Sequence, residues 1–520
     1  MARILIVTGK VAEPMIRDIV KRVDKHRVDV FVAPVPIAAF ITPEYVVSIL
    51  SNSNIDVKSY DIIMLPGLCK GSARIIEEKL GVKAVKGPTN AYDLLEVLKL
   101  DDFSLLSPDE PADNVMGNVL RSLAKSLLSD VEREVCKREC IYIGKLKVPI
   151  TPPPMRIATE VCEAHIYRDE DIIKKVEQYI DSGADIISIG FEALEPHPDH
   201  VERIIKLIRK CYDIPIAIDT SIPSEIIRGI EAGADMVINI TLQNIEEVYK
   251  YLRDVAIVVI PFDTETKTIP MSIDRRIEIL EKTIDVLKQK GIEKIFADIV
   301  LDPPGSTLAS LIGFYEFKRR HPDIPLFMGI GNVTELIDAD SIGVNAIMAM
   351  FAQEIGASIL LTVEKSPKAR GSTLELKIAT QMATISYVKK SLPKNLGIDL
   401  LVVKDKRRYD IDFGEEVDET ILATNEDMQY SLDPLGIFKI RVNHDEGVIE
   451  ALYIGRKGKI LIKGRTAKAI RNEILSRGLI SQLSHAFYLG MELAKAEEAL
   501  RLGKNYIQEF PLFKKLEYIK

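Results

Sequence analysis

Between Met155 and Val363 the chain repeats one pattern of apolar and polar positions. Each copy is a short apolar run, a polar residue at its end, then a stretch with apolar residues three and four apart. The clearest copy is DIPIAIDTSIPSEIIRGIEAGADMVINIT, from Asp213 to Thr241. Its first run, Ile214 to Ile218, ends in Asp219-Thr220. Ile226, Ile227 and Ile230 then mark one helix face, Ala232-Gly233-Ala234 closes the helix, and a second run from Met236 to Ile238 ends in Asn239. The pattern predicts strand, helix, strand. Similar runs lie at Arg156 to Glu160, in IISIGFEAL ending near Glu192, and at Ala256 to Pro261, Ile295 to Asp302, Pro325 to Gly329 and Ala357 to Val363. Eight runs in about 210 residues, one every roughly 25 to 45, have the size of a parallel (β/α)8 barrel. In that fold the βα loops form the active face, so the polar residues that end the strands share one pocket.

The flanks follow other periods. Residues 1–125 alternate apolar runs (Ile4 to Gly9, Val28 to Pro34, Asp61 to Gly67, Val82 to Pro88) with helical stretches, predicting a Rossmann-like, doubly wound α/β domain. Gly9 and Gly67 end strands where a phosphate-binding turn would sit, but G-x-G-x-x-G is absent and a scaffold role is the simpler reading. Residues 126–154 read as a helical linker, the end of a Lys- and Glu-rich helix from about Val115 to Cys140 followed by Thr151-Pro-Pro-Pro154. The barrel then occupies 155–390, ending in a helix from about Thr373 to Lys390. Residues 391–520 predict an α+β domain, with a small sheet over about Ile398 to Lys463 and helices at Thr466 to Arg477 and Leu479 to Leu502. His485 in the last helix reads as a packing or capping residue. No chemistry attaches to this domain from its residues.

Composition narrows what the scaffold does. The chain has 520 residues, 47% of them hydrophobic, enough for several cores. A net charge of -8 and a pI near 5.7 leave no basic footprint for nucleic acid. No apolar run is long enough to cross a membrane, and MARILIVTGKVAEP is a strand pattern, not a signal peptide. Five scattered cysteines form no disulfide framework, which fits a cytoplasmic protein. Abundant Lys, Glu and Ile without Trp suit a hot environment.

Asp219, Asn239 and Asp302 end three of the predicted barrel strands. Two carboxylates and an amide can together read a flat heterocycle that offers several N–H donors and a carbonyl acceptor. Helix capping or pairing with lysines is the alternative for each residue alone; three on one face favour a binding site.

From Gly183 to about Lys377 the chain resembles the pterin-binding barrel family, which includes dihydropteroate synthases and methyltetrahydrofolate- or methyltetrahydropterin-dependent methyltransferases. GADIISIGFEAL is similar to the second-strand region, with Glu192 in the place of a family Glu. IAIDTSIPSEIIRGIEAGADMVINIT matches the Asp-Thr pair and the Asn of the third and fourth strands, and IVLDPPG resembles the sixth. The whole chain is similar to the archaeal proteins called dihydropteroate synthase-related. The resemblance implies that Asp219, Asn239, Asp302 and Glu192 bind a reduced pterin of the tetrahydromethanopterin or tetrahydrofolate type.

The departures separate the family's branches. The synthase loop Asn-x-Thr-Pro-Asp-Ser-Phe is replaced here by IATEVCEAH, Ser-Arg-Lys by Gly329-Ile330-Gly331-Asn332-Val333-Thr334, and Arg-x-His by the segment Thr362 to Lys365. The missing cations are those that would stabilise a departing pyrophosphate. GIGNVT is instead similar to the Gly-x-Ser-Asn-Val-Ser of the methyltransferases, whose Asn contacts the pterin near N5. That makes Asn332 the catalytic candidate and methyl transfer the leading reaction, against a helix-capping role for the same residue. The corrinoid-binding Asp-x-His-x-x-Gly is absent, so the acceptor, a corrinoid protein or another methyl acceptor, comes from a partner; a homodimer is left open. Condensation of a pterin with an arylamine, or non-catalytic pterin binding, are the alternatives.

Cys162 and His165 follow the first barrel strand, and His197 and His200 follow the second. Their spacings, Cys-x2-His and His-x2-His, suit zinc when two such pairs meet. Such spacings recur by chance, however, and no metal is expected.

Overall fold

The computed structural model describes residues 2–89, 91–192, 195–406, 418–423 and 432–514. Four parallel strands open the chain, β1 (Arg3–Thr8), β2 (Arg27–Val32), β3 (Ile62–Leu65) and β4 (Lys83–Lys86), in the order β2-β1-β3-β4. Ile4 and Ile6 of β1 pack with Ile16 and Leu98 on one side, Leu5 and Val7 with Ile41 and Leu50 on the other. A strand covered on both faces reads as a continuous apolar run, and this one does. After β3 a Cβ on Gly67 would stand 2.5 Å from the Gly87 carbonyl oxygen, so close approach of two loops accounts for that glycine.

A long helix (Ala112–Glu134) leads to a hairpin, β5 (Cys140–Ile143) and β6 (Leu146–Pro149), where the sequence predicts only helix and linker. Ile143 and Val148 of the hairpin pack against Ala158, Ile186, Met236 and Phe296 in the barrel interior. Ser358, at the start of the last barrel strand, donates to the Ile150 carbonyl 3.0 Å away. The hairpin therefore seals the barrel at the N-terminal ends of its strands, leaving the opposite end for the site.

The eight barrel strands are β7 (Arg156–Val161), β8 (Ile186–Gly190), β9 (Ile216–Asp219), β10 (Met236–Ile240), β11 (Ala256–Val259), β12 (Ile295–Ala297), β13 (Leu326–Gly329) and β14 (Ala357–Val363). They pair in parallel and close where β14 meets β7. Alternate residues serve two cores. Ala217, Val258 and Phe327 fill the interior, while Ile216, Ile218, Ile257 and Leu326 face the surrounding helices. All eight fall on the runs predicted from sequence. The sixth is shorter than expected: pairing stops at Ala297, not at Asp302.

Three antiparallel strands, β15 (Gly436–Asn443), β16 (Val448–Gly455) and β17 (Gly458–Gly464), precede helices Ala467–Ser476 and Leu483–Leu502. Tyr453, Phe438, Ile470 and Leu493 form their shared core. The expected sheet begins later than Ile398, since residues 398–406 form no strand; residues 407–417 and 424–431 lie outside the described residues.

Candidate active site

A cavity of about 400 Å³ opens at the C-terminal ends of the barrel strands. Its lining includes Glu160, Asp219, Asn239, Asp298, Asn332 and Glu335, over an apolar floor containing Ile238 and Phe327. Among the described residues, the lining contains no Lys or Arg.

Each polar group is fixed by the local backbone. Asp219 is the last residue of β9 and accepts from Asn239 Nδ2 at 2.6 Å. Asn239 has φ 72°, and the register of β10 against β11 shifts at this point. A left-handed residue that interrupts a strand re-aims its side chain, a device found beside active sites. Glu160, near the end of β7, has room because its neighbour on β8 is Gly190; a Cβ there would lie 1.9 Å from Glu160 Oε1. Asp298 follows β12 directly and accepts from the Val300 N–H at 2.7 Å. Val300 is itself left-handed, φ 67°, a strained state for a β-branched residue. Arg276, which is 1% exposed, holds it there by donating to the carbonyls of Pro270, Ile299 and Val300.

The carboxyls share a recessed, acidic space. Burial, with the Asp219 charge added, pushes Glu160 up to about 8. Burial raises Asp298 to about 7 and Asp219 to about 6, the latter held back by the Asn239 hydrogen bond. Burial disfavours a charged carboxylate unless hydrogen bonds compensate, and a like charge nearby adds to it. Glu160 is thus a proton-bearing group at neutral pH. Asn332, in the short helix Gly331–Thr334 after β13, donates from Nδ2 to the Leu301 carbonyl at 2.9 Å, so its amide oxygen is the end left to accept.

Of the sequence candidates, Asp219, Asn239 and Asn332 meet in this cavity. Asp302 does not line it: it lies four residues beyond Asp298, and its carboxylate pairs with Arg276 at 2.8 Å. Glu192 also stands apart, with His197 Nε2 2.7 Å and His165 Nε2 3.6 Å from its Oε1. Cys162 does not join those histidines; burial and the neighbouring Glu160 push its thiol up to about 12. Glu160 and Asp298 are the residues that sequence reasoning missed. Both obey the same strand-end rule, and in IFADIVLD the earlier of two aspartates is the strand end.

A closed eight-strand barrel with an acidic, amide-bearing pocket at its C-terminal mouth has the architecture of a pterin-binding barrel. The family described as Pterin binding enzyme matches residues 160–361, PterinBD-DUF4346 matches residues 432–509, and a family of unknown function (DUF6513) matches residues 2–89. Uncharacterized protein MJ0107 of Methanocaldococcus jannaschii is 37% identical over 98% of this chain and 99% of its own length. A dihydropteroate synthase of Clostridium beijerinckii is 30% identical over 26% of this chain and 55% of that protein. Among solved structures, the 7,8-dihydropteroate synthase of Vibrio fischeri covers 49% of this chain at 19% identity, with a TM-score of 0.38 and 99% of its own chain aligned. The chain belongs to the dihydropteroate synthase-related pterin-binding family.

Proposed function

We propose that the cavity holds the ring of a reduced pterin and that the barrel transfers a methyl group from N5 of that pterin to an acceptor brought by a partner. The observation that carries this reading is the lining itself: three raised carboxyls and two Asn side chains, without Lys or Arg among the described residues. Carboxylates accept from the amino and ring N–H groups of a pterin edge, and the Asp219–Asn239 pair offers an acceptor and an amide side by side.

Methyl transfer from N5 breaks the N5–C bond and leaves its electrons on nitrogen, so N5 must carry a proton as the methyl departs. The acceptor supplies the electron pair of the new bond, and a low-valent corrinoid cobalt or a thiolate has the required nucleophilicity. Asn332, with Nδ2 engaged by Leu301, offers its oxygen to a protonated N5–H, and Glu160 is a proton reservoir near neutral pH. A condensing synthase instead expels an anionic diphosphate, which this lining would repel. The rim cation Lys365 is already paired with Glu163 at 3.2 Å.

The test is incubation of the purified chain with N5-methyl tetrahydromethanopterin or N5-methyl tetrahydrofolate, each with cob(I)alamin and with small thiols. The expected product is the demethylated pterin with the methylated acceptor. Asn332→Ala should lower turnover by about 10²–10⁴ while affinity falls less, because the contact strengthens in the transition state. A pteroate-like product from a pterin diphosphate and an arylamine would establish the synthase reading instead, and binding without turnover a carrier.

A further inference from the structure

Beside the cavity, the loops after β7 and β8 bring three of the chain's seven histidines together. The His165 and His197 rings lie parallel, 4.2 Å apart with an interplanar angle of 8°, and the Nε2 atoms of both lie near one oxygen of Glu192. One ligand atom from each of His165, Glu192 and His197 falls within 4.8 Å of the others. His200 adds a third imidazole, with ring centroids 5.6 Å from His197 and 6.5 Å from His165.

We propose that His165, Glu192 and His197 form a divalent transition-metal site at the mouth of the barrel, with zinc the metal that this donor set fits. A further observation points the same way. The arrangement is also held from below: the His197 N–H donates to Glu225 Oε1 at 2.6 Å, and Glu225 is fully buried and bonded to the Thr220 hydroxyl. A fully buried carboxylate shared between the Thr220 hydroxyl and the His197 N–H fixes where the His197 side chain begins.

The donor set selects the cation. Two imidazoles and one carboxylate suit zinc and its neighbours among the first-row divalent metals, whereas calcium and magnesium prefer all-oxygen shells. Three protein ligands leave a coordination position open, as in catalytic rather than structural zinc sites. The ion would place the positive charge that the cavity lining lacks next to Glu160 and Gly190, whose strands lead into the two loops. An anionic or thiol-bearing group of a second substrate would have its partner there. The site stands independently of the methyl-transfer reading, since a metal can bind whatever the barrel catalyses.

The experiment uses the full-length protein, stripped with EDTA, dialysed and titrated with Co²⁺, with visible ligand-field absorption and elemental analysis as readouts. The expected result is about one Co²⁺ per chain with tetrahedral-type absorption, displaced by Zn²⁺. Glu192→Gln and His197→Ala should each weaken Co²⁺ binding by at least about 10–100-fold, the loss that removal of even an outer partner brings. Cys162→Ala should leave it unchanged. Absence of the band, or a band that survives Glu192→Gln, overturns the site. Circular dichroism checks that each variant is folded; should His197→Ala unfold, the conservative Glu192→Gln decides.

Discussion

At the residue scale the cavity is a set of recessed carboxyls whose protons burial holds, and two predictions follow from that. Asp219 is the end of β9, bonded to Asn239, and the reading above gives it a charge-assisted hydrogen bond to the pterin edge. Asp219→Ala should weaken reduced-pterin binding by about 1.5–3 kcal/mol, the value of a hydrogen bond to a charged group. Titration calorimetry measures this; unchanged affinity with an intact circular dichroism spectrum would remove Asp219 from the binding site. Glu160 sets a pH dependence. Its proton is held up to about 8 in the folded chain against an ordinary 4.5, through burial and the Asp219 charge. Below the ordinary value both states are protonated and the full stability is present. As pH rises from there to about 8, the unfolded chain releases the proton first, so stability is lost across that window. Glu160→Gln removes this slope. Its melting temperature relative to the native chain should therefore rise from pH 5 to about pH 8 and level off above that, and parallel melting curves would contradict the raised value. Asp219 and Asn239 were legible because each closes an apolar run. Asp298 was not, because IFADIVLD contains two acids and only the pairing of β12 with β13 at Ala297 reveals which one ends the strand.

At the scale of elements, the barrel was legible almost strand by strand, for a physical reason. Parallel strands buried on both faces must be continuous apolar runs, and each must stop where the loop meets water. The hairpin β5–β6 escaped because its strands are four residues each and follow a helix whose charged pattern continues past Glu134 into Lys137, Arg138 and Glu139. Single long-range anchors are equally invisible in sequence. Arg276 is the clearest: from helix Ile273–Gln289 it holds three backbone carbonyls and Asp302, and so fixes the loop that presents Asp298 and receives Asn332. Arg276→Met should cost about 3–5 kcal/mol in urea unfolding, because it strands a half-buried carboxylate and unpaired carbonyls. Pterin affinity should fall as well, although Arg276 does not line the cavity. A variant that loses stability but binds the pterin normally would show that the loop keeps its shape without the guanidinium.

At the scale of the whole molecule, the C-terminal domain touches the barrel at the seam where β14 meets β7. Lys174, on the helix after β7, donates to the Asp445 carbonyl, and Arg370, after β14, donates to the His444 carbonyl at 3.1 Å. These two contacts are polar, whereas within the domain, beside its apolar core, Asp433 ties the start of the sheet to the last helix. Its carboxylate accepts from the Ser481 N–H at 2.8 Å, the Ser481 hydroxyl at 2.7 Å, the Leu435 N–H at 3.0 Å, the Gln482 N–H at 3.1 Å and His485 Nδ1 at 3.1 Å. His485 thus takes the packing half of the packing-or-capping role its sequence context suggests, lying against Phe438 and Tyr488, and it pairs with Asp433 without capping its helix. Burial alone would raise the Asp433 pKa, but hydrogen bonds from Ser481, Leu435 and His485 outweigh it and hold the carboxyl well below the usual range. A depressed carboxyl stabilises the fold above its ordinary pKa, and that contribution disappears as pH falls through the lowered value. Asp433→Asn puts an NH₂ group among four N–H donors and a hydroxyl, and should cost about 3 kcal/mol. Hydrogen exchange read by mass spectrometry should then show lost protection over residues 433–502 and unchanged protection in β7 to β14. Reduced-pterin affinity should stay within twofold of the native chain, about 0.4 kcal/mol. If affinity fell together with C-terminal protection, the domain would be part of the binding site, closing over the barrel mouth from the β14–β7 seam.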